Sequence, residues 1–236
     1  MSIFHFKNFD VEQGESPQKV GTDAMVLGAL VRCQSPQQIL DVGTGCGVIA
    51  LMLAQQFKNA EVMGLDIHQK ATEEAHFNFK NSPFKKRLKA IHQSFLSFQS
   101  VNKFDLIVAN PPFFEQSLNS SDQNRNLARH EKEMTLVELV LKAKSLLSQQ
   151  GEIWIIIPSD RSESITKEAE QSGVFLHQQI YLYGKPNRHV RDVLVLGKSK
   201  PVDLVRQSFT IRDENGSYTR EYIELTHEFH WEKGGK

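Results

Sequence analysis

Cysteine is scarce. The 236 residues hold two, Cys33 and Cys46, which excludes a disulfide scaffold, and neither these nor the nine histidines fall into the spacing of a structural zinc site. No stretch approaches the roughly 20 uninterrupted apolar residues that cross a bilayer, and the opening MSIFHFKNFD lacks the apolar run and cleavage site of a secretion signal. The expectation is a soluble, cytoplasmic protein with no membrane partner and no metal. Charge of one sign is also missing. Twenty-eight Lys and Arg offset 28 Asp and Glu, which excludes a uniformly basic nucleic-acid coat but permits a local basic face.

Two segments provide such a face. Residues 80–103 carry Lys80, Lys85, Lys86, Arg87, Lys89 and Lys103 with no acid, and residues 185–200 carry Lys185, Arg188, Arg191, Lys198 and Lys200 against Asp192 alone. Phosphate-holding cleft rims and ordinary solvated loops both satisfy this composition.

From residue 37 the chain becomes rhythmic. QQILDV, VIALMLAQQF and AEVMGLDI read as strand, helix, strand, and HQKATEEAHFNFK continues as an amphipathic helix. Further strands are expected at 87–92, 103–110, 152–158, 174–184 and 189–198, with helices over 134–147 and over SESITKEAEQSG, which closes on a glycine cap at Gly173. Strands alternating with helices imply an α/β fold, a mostly parallel sheet with helices on both faces. The last two strands are separated only by GKPNR, too short for a crossover, so they should run antiparallel. The expected organisation is an N-terminal extension and lid helix over 1–36, a main domain over 37–200, and a short C-terminal appendage over 201–236 packed on the same domain.

Asp41-Val42-Gly43-Thr44-Gly45-Cys46-Gly47 separates the first of these strands from its helix. Such glycines let the backbone turn sharply and approach a ligand. Asp66 ends the next strand about twenty residues on, where a carboxylate accepts hydrogen bonds from ribose hydroxyls. No GKS or GKT follows, so this is not a P-loop. An acid at Asp41 sits badly beside a pyrophosphate and well beside an ammonium group, which favours S-adenosylmethionine over NAD. Asn110-Pro111-Pro112-Phe113 follows the strand FDLIVA at the same expected edge. Prolines fix the local path. An exocyclic base amine is a poor nucleophile because its lone pair is delocalised; the Asn110 carboxamide oxygen and the Pro111 carbonyl can each accept one of its hydrogens while Phe113 stacks on the base. Phe114 reads equally as a second wall or as core.

Together these residues resemble the class I S-adenosylmethionine-dependent methyltransferases that act on exocyclic amines and amides through an NPPF or NPPY clamp. The resemblance implies a Rossmann-like, seven-stranded sheet whose last strand is antiparallel. It also implies that Gly43, Gly45 and Gly47 flank the methionine part of the cofactor, that Asp66 holds the ribose, and that Asn110 stands beside both cofactor and target amine. Family members commonly place an Asp near the adenine after the third strand; here Ser94 takes that position.

The ends narrow the likeness. Phe6-Lys7-Asn8-Phe9, Val11, Lys19 through Ala24, Ala128-Arg129-His130, and Tyr218-Thr219 through Thr226 resemble the tRNA adenine-N6 methyltransferases, which implies a tRNA anticodon stem-loop as partner and the adenosine 3′ of the anticodon as target. On that reading Lys19 and Thr22 belong to a lid over the cofactor. Lys85, Lys86, Arg87, Arg125, Arg129, His130, Lys185, Arg188 and Arg191 are the RNA-binding candidates, although the first three are expected at the sheet edge opposite the clamp. A base in a loop enters such a clamp at lower unstacking cost than one in a duplex. Methylation of guanine N2 in ribosomal RNA, of a protein glutamine, or of DNA adenine remain rivals with the same local geometry. A non-enzymatic RNA-binding module would leave Asp41, Asp66 and the clamp without a common purpose.

Overall fold

Parallel strands buried on both faces need near-continuous apolar runs, and FDLIVA and EIWIIIP supply them at the centre of the sheet. The computed structural model describes residues 2–14, 20–111 and 134–230. A hairpin of β1 (Ser2–His5) and β2 (Asp10–Gln13) precedes helix α1 (Thr22–Leu30). The sheet region follows as β3 (Gln38–Val42), α2 (Val48–Gln56), β4 (Glu61–Asp66), α3 (Gln69–Asn81), β5 (Leu88–His92) and β6 (Phe104–Ala109). After it come α4 (Leu136–Leu146), β7 (Leu147–Pro158), α5 (Ser162–Gln171), β8 (Phe175–Lys185), β9 (Arg188–Gly197), β10 (Val205–Thr210) and α6 (Arg220–Thr226).

The main sheet has the order β10-β8-β9-β7-β6-β3-β4-β5. Every neighbouring pair is parallel except the two made by β9, which runs antiparallel to β7 and to β8. The short GKPNR connection therefore makes the expected hairpin. An eighth strand exceeds the seven expected: β10, from the C-terminal stretch, adds in parallel to β8. Its sequence VRQSFT has weak alternation and mostly exposed side chains, so only the unpaired edge of β8 marks its place. Strand β7 also begins at Leu147, where the sequence predicts the end of a helix, because Leu147 pairs with Phe104 before the register shifts.

Alternating strand residues feed two cores. Leu106 and Val108 face one, with α1, α2, Phe79 of α3 and Tyr222 of α6; Ile107 and Ala109 face the other, with α4, α5 and the Phe95–Phe98 turn. Helix α4 starts in a capping box, Thr135 accepting from the Glu138 amide while the Glu138 carboxylate accepts from Thr135. Helix α5 stops at Gly173, whose φ of 72° and N–H bond to the Glu170 carbonyl form the expected glycine cap.

The terminal motifs are structural. Phe6 stacks on Phe9 with ring centroids 4.4 Å apart, pairs with His230, and its neighbour Lys7 donates to the Phe229 carbonyl. Tyr218 stacks on Tyr222, and Thr219 caps α6. Helix α1 is not a free lid, since Ala24 through Ala29 are all buried; a helix with six consecutive core residues cannot swing without opening the core. Its first turn is the accessible part: Thr22 is exposed, and Asp23 is bonded to Arg191 near the start of β9.

Arg87 corrects an RNA-binding expectation. Its guanidinium donates to the carbonyls of Ala54, Phe57 and Ala60 at 2.7, 3.0 and 2.7 Å, closing the C-terminal end of α2, where free carbonyls and the helix dipole both favour a cation. Replacing Arg87 with Ala is expected to destabilise the fold by about 2 kcal/mol and to leave the salt dependence of RNA binding unchanged, as read by urea denaturation and by titrations at several salt concentrations.

Candidate active site

The site is set by strand register. Val42 of β3 is level with Leu65 of β4 on one side and with Ala109 of β6 on the other. Gly43, Asp66 and Asn110, each the next residue in its chain, therefore leave three adjacent strands side by side at their C-terminal ends. Strand order reverses at β3, making this the switch point where open α/β sheets bind ligands. Strands about 4.8 Å apart put Asp66 and Asn110 roughly 10 Å from one another, a nucleoside's span.

Backbone hydrogen bonds hold the glycine turn against β4, as the Gly43 and Thr44 amides both donate to the Leu65 carbonyl, at 2.8 and 3.0 Å. Gly43, Gly45 and Gly47 all have positive φ, 72°, 56° and 86°, which residues with a Cβ adopt only at a cost. Their surroundings differ. A Cβ on Gly43 would meet nothing within 4 Å, whereas one on Gly47 would lie 2.4 Å from the Phe79 ring. Gly43 thus faces open space at the strand ends, while Gly47 is the packing residue that caps α2 and lets α3 approach.

Asp66 accepts the Gly45 amide on one oxygen and the His68 amide on the other, both at 2.9 Å. Each carboxylate oxygen has a second lone pair, so the group can still take two hydroxyls. Asp41 lies deeper, 1% exposed. One oxygen accepts the Thr44 hydroxyl at 2.7 Å and the Ala50 amide at 3.2 Å, tying the turn to the first turn of α2; the other is buried and finds no donor among the described residues. Burial pushes the Asp41 carboxyl up to about 7, against the pull of the Thr44 and Ala50 donors and with a smaller push from the Asp66 charge. A buried acceptor without a donor beside an open glycine turn fits a ligand carrying an ammonium group. Asn110 is half-buried and Pro111 buried. Ser94 follows β5, whose His92 is level with Asp66, and its carbonyl accepts from the Phe98 amide and the Ser97 hydroxyl.

Sequence reasoning missed Asn78, 2% exposed, which donates to the carbonyls of Cys46 and Glu12 and accepts the Glu12 amide. It ties the glycine turn to the N-terminal hairpin; a buried Asn inside an amphipathic helix was the available signal. Lys19, Pro112, Phe113, Phe114, Arg125, Arg129 and His130 lie outside the described residues. Lys85 and Lys86 are exposed but precede β5, at the edge opposite Asn110, which removes them from the rim of this site. Lys185 and Arg188 flank the β8–β9 turn. Because β9 is antiparallel to β7 and its Arg191 pairs with Pro158, that turn stands at the same edge as Asn110. Arg191 itself is tied to Asp23 of α1 at 3.1 Å, so it anchors the first turn of α1 to β9. An open cleft of about 1170 Å³ lined by Cys33, Gln37, Asp105 and Glu152 lies at the opposite edge; the glycine turn, and not cavity size, locates the chemistry. Among the described residues no group of His, Cys, Asp and Glu is placed to hold a metal, and no helix is long and apolar enough to cross a membrane.

The Asp41 shift has a definite sign. A carboxyl whose folded pKa lies above its ordinary 3.8 stabilises the fold most at low pH, and stability falls as pH rises from about 4 to 7, by on the order of 4 kcal/mol. Urea midpoints at pH 5 and pH 8 should show this fall in the unliganded protein, and Asp41→Asn should flatten it.

Residues 18–169 match the Methyltransferase small domain family. The chain is 38% identical over 227 residues to the tRNA1(Val) (adenine(37)-N6)-methyltransferase of Phocaeicola vulgatus, covering 96% of this chain and 97% of that protein. To the enzyme of the same name from Bacteroides thetaiotaomicron it is 35% identical over 229 residues, 97% of each. Among solved structures, one described as a predicted O-methyltransferase from Agrobacterium tumefaciens superimposes with a TM-score of 0.66 at 16% identity, covering 91% of this chain and 100% of that one. A ribosomal protein L11 methylase from Lactobacillus delbrueckii does so with 0.53 at 19% identity, over 74% and 76%. These last two likenesses concern the fold alone. By a family match over residues 18–169 and by sequence similarity over nearly its whole length, the chain belongs to the Methyltransferase small domain family, beside the tRNA1(Val) (adenine(37)-N6)-methyltransferases.

Proposed function

We propose that this protein transfers the methyl group of S-adenosylmethionine to the exocyclic N6 amine of the adenosine 3′ of the anticodon, position 37, in tRNA1(Val). The observation that carries the reading is the common level of Gly43, Asp66 and Asn110 across three adjacent strands. On this reading Asp66 holds the ribose and Asn110 the target amine, at the two ends of a span of about 10 Å. The relatives' names supply the substrate class, and the cytoplasm is where such a tRNA enzyme works.

The cofactor, when bound, supplies an electrophilic methyl on a sulfonium. This chain's residues do the rest by position. Asp66 has the lone pairs for two ribose hydroxyls, the buried free oxygen of Asp41 suits the ammonium, and Ser94 stands where the adenine edge is expected. The Asn110 side-chain oxygen and the Pro111 carbonyl each accept one hydrogen of the target NH2, which draws the nitrogen toward pyramidal geometry and aims its lone pair at the methyl. Phe113 contributes the stacking face that the sequence implies. No covalent enzyme intermediate is needed: with the amine aimed by Asn110 and Pro111, a bound donor would pass its methyl directly to the nitrogen and keep the electron pair of the broken bond, and one amine proton would leave to solvent. Asp41 beneath the glycine turn favours the methyl donor over an extended pyrophosphate.

The decisive measurement is incubation with labelled methyl donor and unmodified tRNA, followed by nucleoside analysis. N6-methyladenosine at the anticodon-adjacent position is expected. Label in guanine N2 of ribosomal RNA, or in glutamine of a protein fraction, with none in tRNA, would replace the reading. Asn110→Ala should cut kcat/KM for tRNA by about 100-fold or more while cofactor binding, followed by calorimetry, stays within a few fold.

A further inference from the structure

The β8–β9 hairpin carries a cluster that the chemistry above does not use. His189 sits between two tyrosines, its ring centroid 5.4 Å from Tyr181 in an edge-on arrangement and 5.2 Å from Tyr183 at a shallow tilt. The imidazole is pinned from below: its Nε2 donates to Asp192 at 2.5 Å, and Asp192, 1% exposed, is itself held through its other oxygen by the Ser162 hydroxyl and by the Gln179 amide at 2.8 Å. A buried carboxylate with three donors spends its bonds fixing one ring that remains 32% exposed. At the turn, Lys185 and Arg188 are direct register partners, and both are exposed. Like charges placed opposite one another repel. Pro186 and Asn187, the latter at φ 60°, hold them together.

We propose that this hairpin is a stacking seat for an unpaired nucleotide of the RNA substrate, with Tyr183 and His189 taking the base and Lys185 and Arg188 the adjoining phosphate. The inference rests on the RNA reading above and extends it to a contact beyond the target base. Aromatic faces beside a cationic rim are the arrangement that binds single-stranded nucleic acid. Its location selects which nucleotide is held. From Asn110 the seat lies two to three strands across and several residues further out along β9, on the order of 15 Å by strand spacing. It therefore addresses a neighbour of the target base within the same loop.

The test is direct binding of a fluorescein-labelled single-stranded RNA, an anticodon loop in length, to the full chain by anisotropy, read beside thermal melting and cofactor affinity. Tyr183→Leu should weaken binding about tenfold with melting and cofactor affinity unchanged, and Tyr183→Phe should restore it. The double variant Lys185→Ala with Arg188→Ala should flatten the salt dependence by roughly one to two released counterions. Equal RNA affinity in wild type and Tyr183→Leu overturns the seat, as does failure of Tyr183→Phe to restore what Tyr183→Leu loses. An acidic peptide competing as well as RNA overturns it too. Loss of binding in Tyr183→Leu, in a protein that methylates no tRNA, upholds the seat and overturns the assigned reaction instead.

Discussion

Parallel pairing of β3 with β4 and with β6 puts Val42 level with both Leu65 and Ala109, and from that alignment the remainder of the site follows. A slip of one residue would exchange the two faces of a strand, sending the side chains fitted to one core into the other. Such a slip is opposed on both sides of the sheet, because consecutive residues of β6 belong to opposite cores. The functional geometry is thus fixed by packing far below it, and the loops inherit their starting points from the sheet.

Much of this was legible in the chain itself. The glycine turn, Asp66 at its distance, and Asn110 after an apolar strand are local signals, and local order along a βαβ chain translates into spatial order because crossovers are right-handed. The GKPNR link dictated an antiparallel pair by length alone. What escaped were features defined by partners distant in sequence. VRQSFT becomes a strand only because β8 has a free edge. Arg87 looked like part of a basic patch because composition records charge but not the three carbonyls that its donors reach. That Gly47 also makes room for Phe79 could not be read from the spacing of the glycines. The proline-aromatic half of the clamp, from Pro112 onward, lies outside the described residues and stands on the sequence.

The two basic segments illustrate the limit of charge counting. They are similar in composition and opposite in placement: Lys85 and Lys86 precede β5 at the far edge, while Lys185 and Arg188 crown a hairpin beside the site. Direction of the host strand decides between them, since a turn leading into a parallel strand lies at its N-terminal edge, and one leading into the antiparallel β9 lies at the other. The antiparallel strand is therefore the element that carries basic side chains to the reactive end of an otherwise parallel sheet.

On the proposed reading, the acids at positions 41 and 66 address parts of the donor that the reaction leaves alone. Methyl loss alters only the sulfur; the sugar hydroxyls and the amino group are the same afterwards. With Asp66 braced by two amides and Asp41 sealed beneath the turn, the spent molecule keeps nearly every handle by which the fresh one was held. Discrimination between them would then rest on the sulfonium charge, so exchange of one for the other, governed by their relative abundance, would act as a natural brake on turnover.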